Sequence, residues 1–288
     1  MSDRMDGKTV MVTGATDGIG LVTARELAGK GARILLVGRN EQKGANALRT
    51  IREAIPEAAL SFHQADLSRM SEVRRLASTI GEAEPKLDVL VNNAGGIFSH
   101  RQESQDGVEL TFALNHLSYF LLTTELLDLL RAAPSARIVN VASRAHVGAR
   151  MDFDDLEFRN GYHARNAYRR SKLCNVMFTR ALARRLEGSS ITTNSLHPGF
   201  VRTNFGASKN PFYFSWAVKG LMLVMGIGVE EGAKTSIMLA SDPALEGVSG
   251  LYYSECVETN PTKAARDDAA GEKLWRVSEE MVANILSS

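Results

Sequence analysis

Short, almost continuously apolar runs alternate with longer stretches of helical periodicity through most of the 288 residues, and this alternation leaves few folds open. MVT, ILLVG, DVLV and IVNV are apolar along their length rather than at every second residue. A strand with one face in water alternates with period two; a strand covered on both faces has no need to. Strands are expected at 8–13, 33–37, 60–64, 87–92, 137–141 and 191–196, with a last one at 251–253. Helices are expected near 18–30, 41–54, 69–82, 107–131, 167–187 and 230–241, and a polar helix near 268–286 closes the chain. Strand–helix units repeated in this way build an α/β fold, a doubly wound parallel sheet of about seven strands with helices on both faces. No linker, repeat or low-complexity tract divides the pattern, so one domain is expected.

Helix 107–131 stands out because LTFALNHLSYFLLTTELLDLL is apolar nearly all round. Such a helix is buried inside its domain or buries its outer face against another chain. A homodimer or tetramer built through helices 107–131 and 167–187 is therefore one expectation. Charge bears on other partners. Lys and Arg number 34 against 33 Asp and Glu, a formal +1, which gives no general attraction for nucleic acid or anionic membrane and favours a small-molecule ligand. The two cysteines, Cys174 and Cys256, fit a reducing compartment, Cys174 as a small buried side chain. No apolar run precedes the first strand, and the most apolar late stretch, 212–227, contains Lys219 and is shorter than the roughly 20 residues a spanning helix needs. A cytoplasmic protein without signal peptide, anchor or transmembrane segment is expected.

The first strand runs directly into TGATDGIG (13–20) and then into a helix. Gly14, Gly18 and Gly20 allow a tight turn, a close approach of backbone to a pyrophosphate, and close packing of helix on strand. The helix N-terminus adds free N–H groups and a favourable dipole. Thr16, Asp17 and Ile19 complete the loop. The spacing is G-x3-G-x-G, not the more usual G-x-G-x-x-G, so its place between the first strand and first helix carries the assignment. The second strand ends in VGRN. A site for NAD needs a carboxylate there for the ribose 2′-hydroxyl; this chain has Gly38, then Arg39 and Asn40, and a guanidinium forks onto a 2′-phosphate, which points to NADP. Asp17 is less favourable, since it stands where a second base would help. The third strand ends in Asp66 and Leu67, where a carboxylate can accept from an adenine amino group. The fourth ends in NNAG, whose Asn93, Ala94 and Gly95 offer backbone near a ribose.

The fifth strand delivers Ser143 at its carboxyl end, and YRRSK sets Tyr168 and Lys172 four residues apart on one helical face. A phenol near pKa 10 is a poor acid–base group at neutral pH; a neighbouring ammonium stabilises the phenolate and lowers that value. Ser143 is placed to hold a substrate oxygen. A tyrosine and lysine at this spacing occur by chance on many helices, and the glycine loop and strand-end serine are what raise this pair above chance.

Together TGATDGIG, NNAG, Asn115, Ser143, Tyr168-x3-Lys172 and HPGFVRT (197–203) resemble the short-chain dehydrogenase/reductase superfamily over about residues 7–254. The resemblance implies a Rossmann-type fold and a nicotinamide cofactor. It implies that Tyr168 is the general acid/base, that Lys172 lowers its pKa and binds the nicotinamide ribose, that Ser143 orients the carbonyl and that Asn115 supports a water-linked proton path. Pro198, Gly199, Val201 and Thr203 would border the nicotinamide and phosphates. FALNHLSYFLLT, VASRAH, FDDLE and AYRRSKLCNVMFTRALARRL resemble the retinol dehydrogenase branch, which includes the WW-domain oxidoreductase.

The reading is an NADP-dependent oxidoreductase moving hydride between the nicotinamide and a lipophilic aldehyde, ketone or alcohol. The alternative is a catalytically silent dinucleotide sensor on the same fold, against which the intact Ser143, Tyr168 and Lys172 set argues. An epimerase or dehydratase would need a larger C-terminal substrate domain. The segment 206–228 is expected to be the substrate lid, since Phe212, Tyr213, Phe214, Trp216, Leu221, Met222, Leu223 and Met225 suit an apolar ligand. Residues 255–288 form a C-terminal extension. The six histidines show no metal-ligand spacing, so no metal is expected. Arg144 and His146 are placed at the surface near the site entrance, His197 in a packing role, and the basic runs RNAYRR and ARR on solvated helix faces.

Overall fold

The computed structural model describes residues 4–201 and 227–288. Thr203 and most of the expected lid lie outside the described residues. One sheet organises the chain, from β1 (Thr9–Thr13), β2 (Arg33–Gly38), β3 (Leu60–Gln64), β4 (Val89–Asn92), β5 (Ala136–Val141), β6 (Ile191–His197), β7 (Tyr252–Ser254) and β8 (Val257–Glu258). Their order is β3-β2-β1-β4-β5-β6-β7-β8, parallel throughout except for β7 with β8. The order reverses between β1 and β4, whose paired residues Val12 and Val91 bring their carboxyl ends level. A crevice outside the strand ends at such a reversal is where ligands of open α/β sheets lie.

The continuous apolarity of the strands has the cause expected of it. In β1, Val10 and Val12 enter a core cluster covered by α1 (Gly18–Gly29), α2 (Glu41–Ala54) and α8 (Val229–Ser241), while Met11 enters a second cluster on the other face. That second face is covered by α3 (Met70–Ala83), α5 (Ser118–Glu125), α7 (Ala164–Arg185) and α9 (Asp268–Ser287). Two apolar faces require two apolar residue sets on each strand.

Two expectations change. The sheet has an eighth strand, a two-residue antiparallel edge reached through a tight turn in which Glu255 (φ 53) and Cys256 (φ 62) both take left-handed backbone. Helix 107–131 is broken into α4 (Leu110–Phe112), a π-helical turn (Ala113–Leu117), α5 and α6 (Leu127–Arg131). Its all-round apolarity is met within the chain. Phe120 packs edge-on against Trp275 of α9 (5.0 Å) and Phe178 of α7 (5.8 Å), so this ring is covered within the chain. Among the described residues no helix is long and apolar enough to cross a membrane.

Candidate active site

The glycine loop is held against the end of β4 by a short set of hydrogen bonds. Asn93 Nδ2 donates to Thr13 O (2.8 Å) and Gly14 O (3.3 Å), while Asn93 N and Ala94 N both donate to Thr13 Oγ1 (2.9 and 3.0 Å). Gly14 (φ +64) and Gly18 (φ +55) take left-handed backbone, and a Cβ on Gly20 would overlap Gly14 O and Asn93 Nδ2. The first of these needs is conformational and the second is space; only glycine satisfies both. Asp17 caps α1 by accepting from Gly18 N (2.8 Å), and Thr16 and Ile19 are half-buried on the loop.

Beside the loop, Arg39 and Asn40 follow β2 as exposed residues, with Asn40 capping α2 through Lys43 N (2.8 Å). Lys43 was passed over in the sequence. Its Nζ lies 3.6 Å from Asp17 Oδ2, so a lysine one turn into α2 stands beside the loop. Asp66 Oδ1 accepts from Ser68 N (3.1 Å) and Ser68 Oγ (2.7 Å), and Leu67 turns its side chain into the core. The crevice is walled by backbone: a Cβ on Gly95 would come within 3.2 Å of Asn115 Oδ1 and 3.6 Å of Lys172 Nζ. Glycine backbone, the N–H groups of the first turn of α1 beyond the one that Asp17 caps, and two nearby cations fit a dinucleotide phosphate.

Across the crevice, α7 brings Tyr168 and Lys172 to the carboxyl ends of β4 and β5. The Tyr168 hydroxyl is hydrogen-bonded to Ser143, whose Oγ also accepts from Ala145 N (3.1 Å). Lys172 Nζ donates to Val141 O (2.9 Å) and stands 5.8 Å from the centre of the Tyr168 ring. Burial raises the Tyr168 phenol to about 12, with Ser143 pulling the other way, and burial lowers Lys172 to about 7. In the protein alone, burial of the phenol therefore outweighs the pull of Ser143, and the lowering expected from Lys172 does not appear. Asn115 sits in the π-turn with its amide committed: Nδ2 donates to Gly96 O and Ser171 Oγ (both 2.9 Å), and Oδ1 accepts from Gly96 N (2.8 Å). It joins the β4 loop to α7.

At the end of β6, Pro198 and Gly199 (φ +89) lead to Val201, which bridges Ile227 in parallel. His197 is lowered to about 4 by burial and by its neighbours Arg144 and His146. Two expectations of exposure are corrected. His146 is buried, because its ring is hydrogen-bonded at both nitrogens. Arg170 of the RNAYRR run is also buried, its guanidinium 3.8 Å above the Phe158 ring and its Nε donating to Arg150 O (3.2 Å). No alternation of charge marked either. Among the described residues no cluster could hold a metal ion.

The short chain dehydrogenase family model matches residues 8–213. The chain is 40% identical to human retinol dehydrogenase 14 over 96% of its length and 87% of that protein's, and 38% identical to human retinol dehydrogenase 12 over 97% and 87%. Among solved structures, an uncharacterised protein of Mycobacterium paratuberculosis superposes with a TM-score of 0.79 at 30% identity, covering 97% of this chain and 95% of that one. The Pseudomonas aeruginosa RhlG/NADP active-site complex gives 0.71 at 29%, covering 88% and 96%.

Proposed function

The chain belongs to the short-chain dehydrogenase family, in its retinol dehydrogenase branch, and from that premise we propose an NADP-dependent reductase or dehydrogenase for lipophilic carbonyl and alcohol compounds. Family membership makes it an oxidoreductase of alcohol or carbonyl groups that uses a nicotinamide dinucleotide. The observation that carries the finer reading is the convergence of Ser143, Tyr168 and Lys172 on the strand ends that face the glycine loop.

The bound nicotinamide supplies the hydride. Ser143 holds the substrate oxygen, and Tyr168 transfers its proton to that oxygen in reduction or takes it in oxidation. Lys172 in its charged form stabilises the phenolate left behind. Lys43 and Arg39 support the choice of NADP, since one cation follows the end of β2 and another stands one turn into α2, while the strand end has no carboxylate in the place NAD requires. The apolar preference is supported by Val147 and Phe200, large hydrophobics that are 47% exposed after the carboxyl ends of β5 and β6, and by relatives named retinol dehydrogenases.

The test is NADPH consumption with straight-chain aldehydes from propanal to decanal and with retinal. Turnover should rise with apolar size, NADPH should outperform NADH, and Tyr168→Phe should lower kcat by roughly 10²–10⁴ with little change in NADPH affinity. A preference for small polar carbonyls, equal use of NADH, or a fully active Tyr168→Phe enzyme would overturn the corresponding part.

A further inference from the structure

His146 makes more contacts than a packing residue requires, and they join the turn that carries Ser143 to the C-terminal part of the chain. A 3-10 turn of three residues, Arg144–His146, follows β5 directly. Such a turn has one internal backbone bond of modest geometry, here from His146 N to Ser143 O (3.1 Å). The His146 side chain adds a second. Its Nδ1 lies 2.7 Å from the same Ser143 carbonyl, and since a carbonyl only accepts, Nδ1 carries the proton. The Ser143 peptide oxygen is thus held by both lone pairs, while the Ser143 hydroxyl accepts from Ala145 of the same turn.

The rest of the ring reaches the other way. With the proton on Nδ1, Nε2 is the acceptor, and it faces the N–H of Thr262 at 3.4 Å. Thr262 lies beyond β8, in the C-terminal extension. The ring also packs edge-on against Tyr252 of β7, with centroids 5.1 Å apart and planes at 70°. Burial holds the imidazole below its ordinary pKa, in the neutral form that this pair of contacts needs.

We infer that His146 is a positioning residue for Ser143, fixing the serine peptide and tying its turn to the C-terminal extension at Thr262. The inference rests on the reading of Ser143 as the group that holds the substrate oxygen. A hydrophobic residue would fill the same space against Tyr252 but leave the Ser143 carbonyl with one donor. Asparagine separates the two roles, because its amide nitrogen falls close to where imidazole Nδ1 lies, without a ring to pack.

The experiment compares His146→Leu, His146→Asn and Ser143→Ala with the native chain, using decanal and NADPH. His146→Leu should lower kcat about tenfold, the worth of one lost hydrogen bond that holds Ser143 in place, with KM for NADPH within about twofold of native. His146→Asn should recover most of that loss even if both variants melt at the same lowered temperature. If His146→Leu does not fold, His146→Gln takes its place, since its longer side chain moves the donor away from Ser143. Native kcat in His146→Leu or His146→Gln beside an impaired Ser143→Ala would overturn the inference alone. So would a His146→Asn enzyme as slow as the Leu variant. Native kcat in Ser143→Ala would instead overturn the reading of the site, and this inference with it.

Discussion

Lys172 is 3% exposed, and burial by itself lowers it from 10.5 to about 7. The fold therefore works against an ammonium where the proposed chemistry needs one. The unfolded chain binds a proton at this residue up to about 10.5, while the folded chain has released it above about 7, so the residue destabilises the protein fully below pH 7 and progressively less as pH rises toward 10.5. Lys172→Met should accordingly raise the melting temperature of the cofactor-free protein by roughly 3–6 °C at pH 6, an effect that shrinks toward zero by pH 10. Thermal denaturation across that range is the check; an equal gain at every pH would mean that the lysine's charge has no part in it. At this scale the sequence was legible where chemistry fixes residue type, as at Tyr168, Lys172, Ser143 and the loop glycines. It was illegible at His146, Lys43 and Arg170, whose significance comes from partners 116, 26 and 20 residues away in sequence or from a ring stacked beneath them.

Elements were readable as far as periodicity reaches. The parallel strands and α1, α2 and α3 fall where apolar runs and turns place them, because each answers to local pattern. The long helix did not, since a π-turn keeps the same residues apolar while shifting the register of all that follow, and hydrophobic periodicity does not detect a single widened turn. The last hairpin was missed because its turn uses glutamate and cysteine at left-handed positions, where glycine or asparagine would have marked it. The glycine loop is an element in which space, not pattern, is decisive. Gly20→Ala would push its new methyl into Gly14 O and the Asn93 amide, separating the loop from the end of β4. Overpacking of this kind costs about 1–3 kcal/mol, and dinucleotide affinity should fall at least about tenfold by calorimetric titration. Gly81→Ala in α3 meets nothing within 4 Å and is the matched control, with unchanged affinity. Equal affinity in both variants would show that the loop tolerates a side chain.

On the scale of the whole molecule, the unforeseen feature is the use made of α9. The sequence reads as a polar closing helix, yet its Leu274, Trp275, Ser278 and Val282 are buried, with Trp275 against α5 and α7 and Ser278 Oγ 2.9 Å from His116 Nε2 in the π-turn that also carries Asn115. Trp275 stacks on Phe178 (5.8 Å, 23°), meets Phe120 edge-on, and has the Arg185 guanidinium 3.9 Å above it. Arg184 and Arg185 also pair with Glu272, whose carboxyl they hold near 2. These ion pairs are largely in water, where salt screens them and each is worth little. The aromatic packing should therefore decide whether α9 stays in place. Trp275→Ala removes a large buried ring at about 3–5 kcal/mol, which predicts a melting temperature lower by roughly 6–15 °C. The apolar faces of α5 and α7 would then be opened to solvent, and a patch of that kind self-associates, so elution from a sizing column should shift to larger species as concentration rises. Glu272→Gln should change the melting temperature by only a degree or so, and less still in 0.5 M salt. A Glu272→Gln loss as large as that of Trp275→Ala would reverse the ranking and make the ion pairs the fastening of this helix.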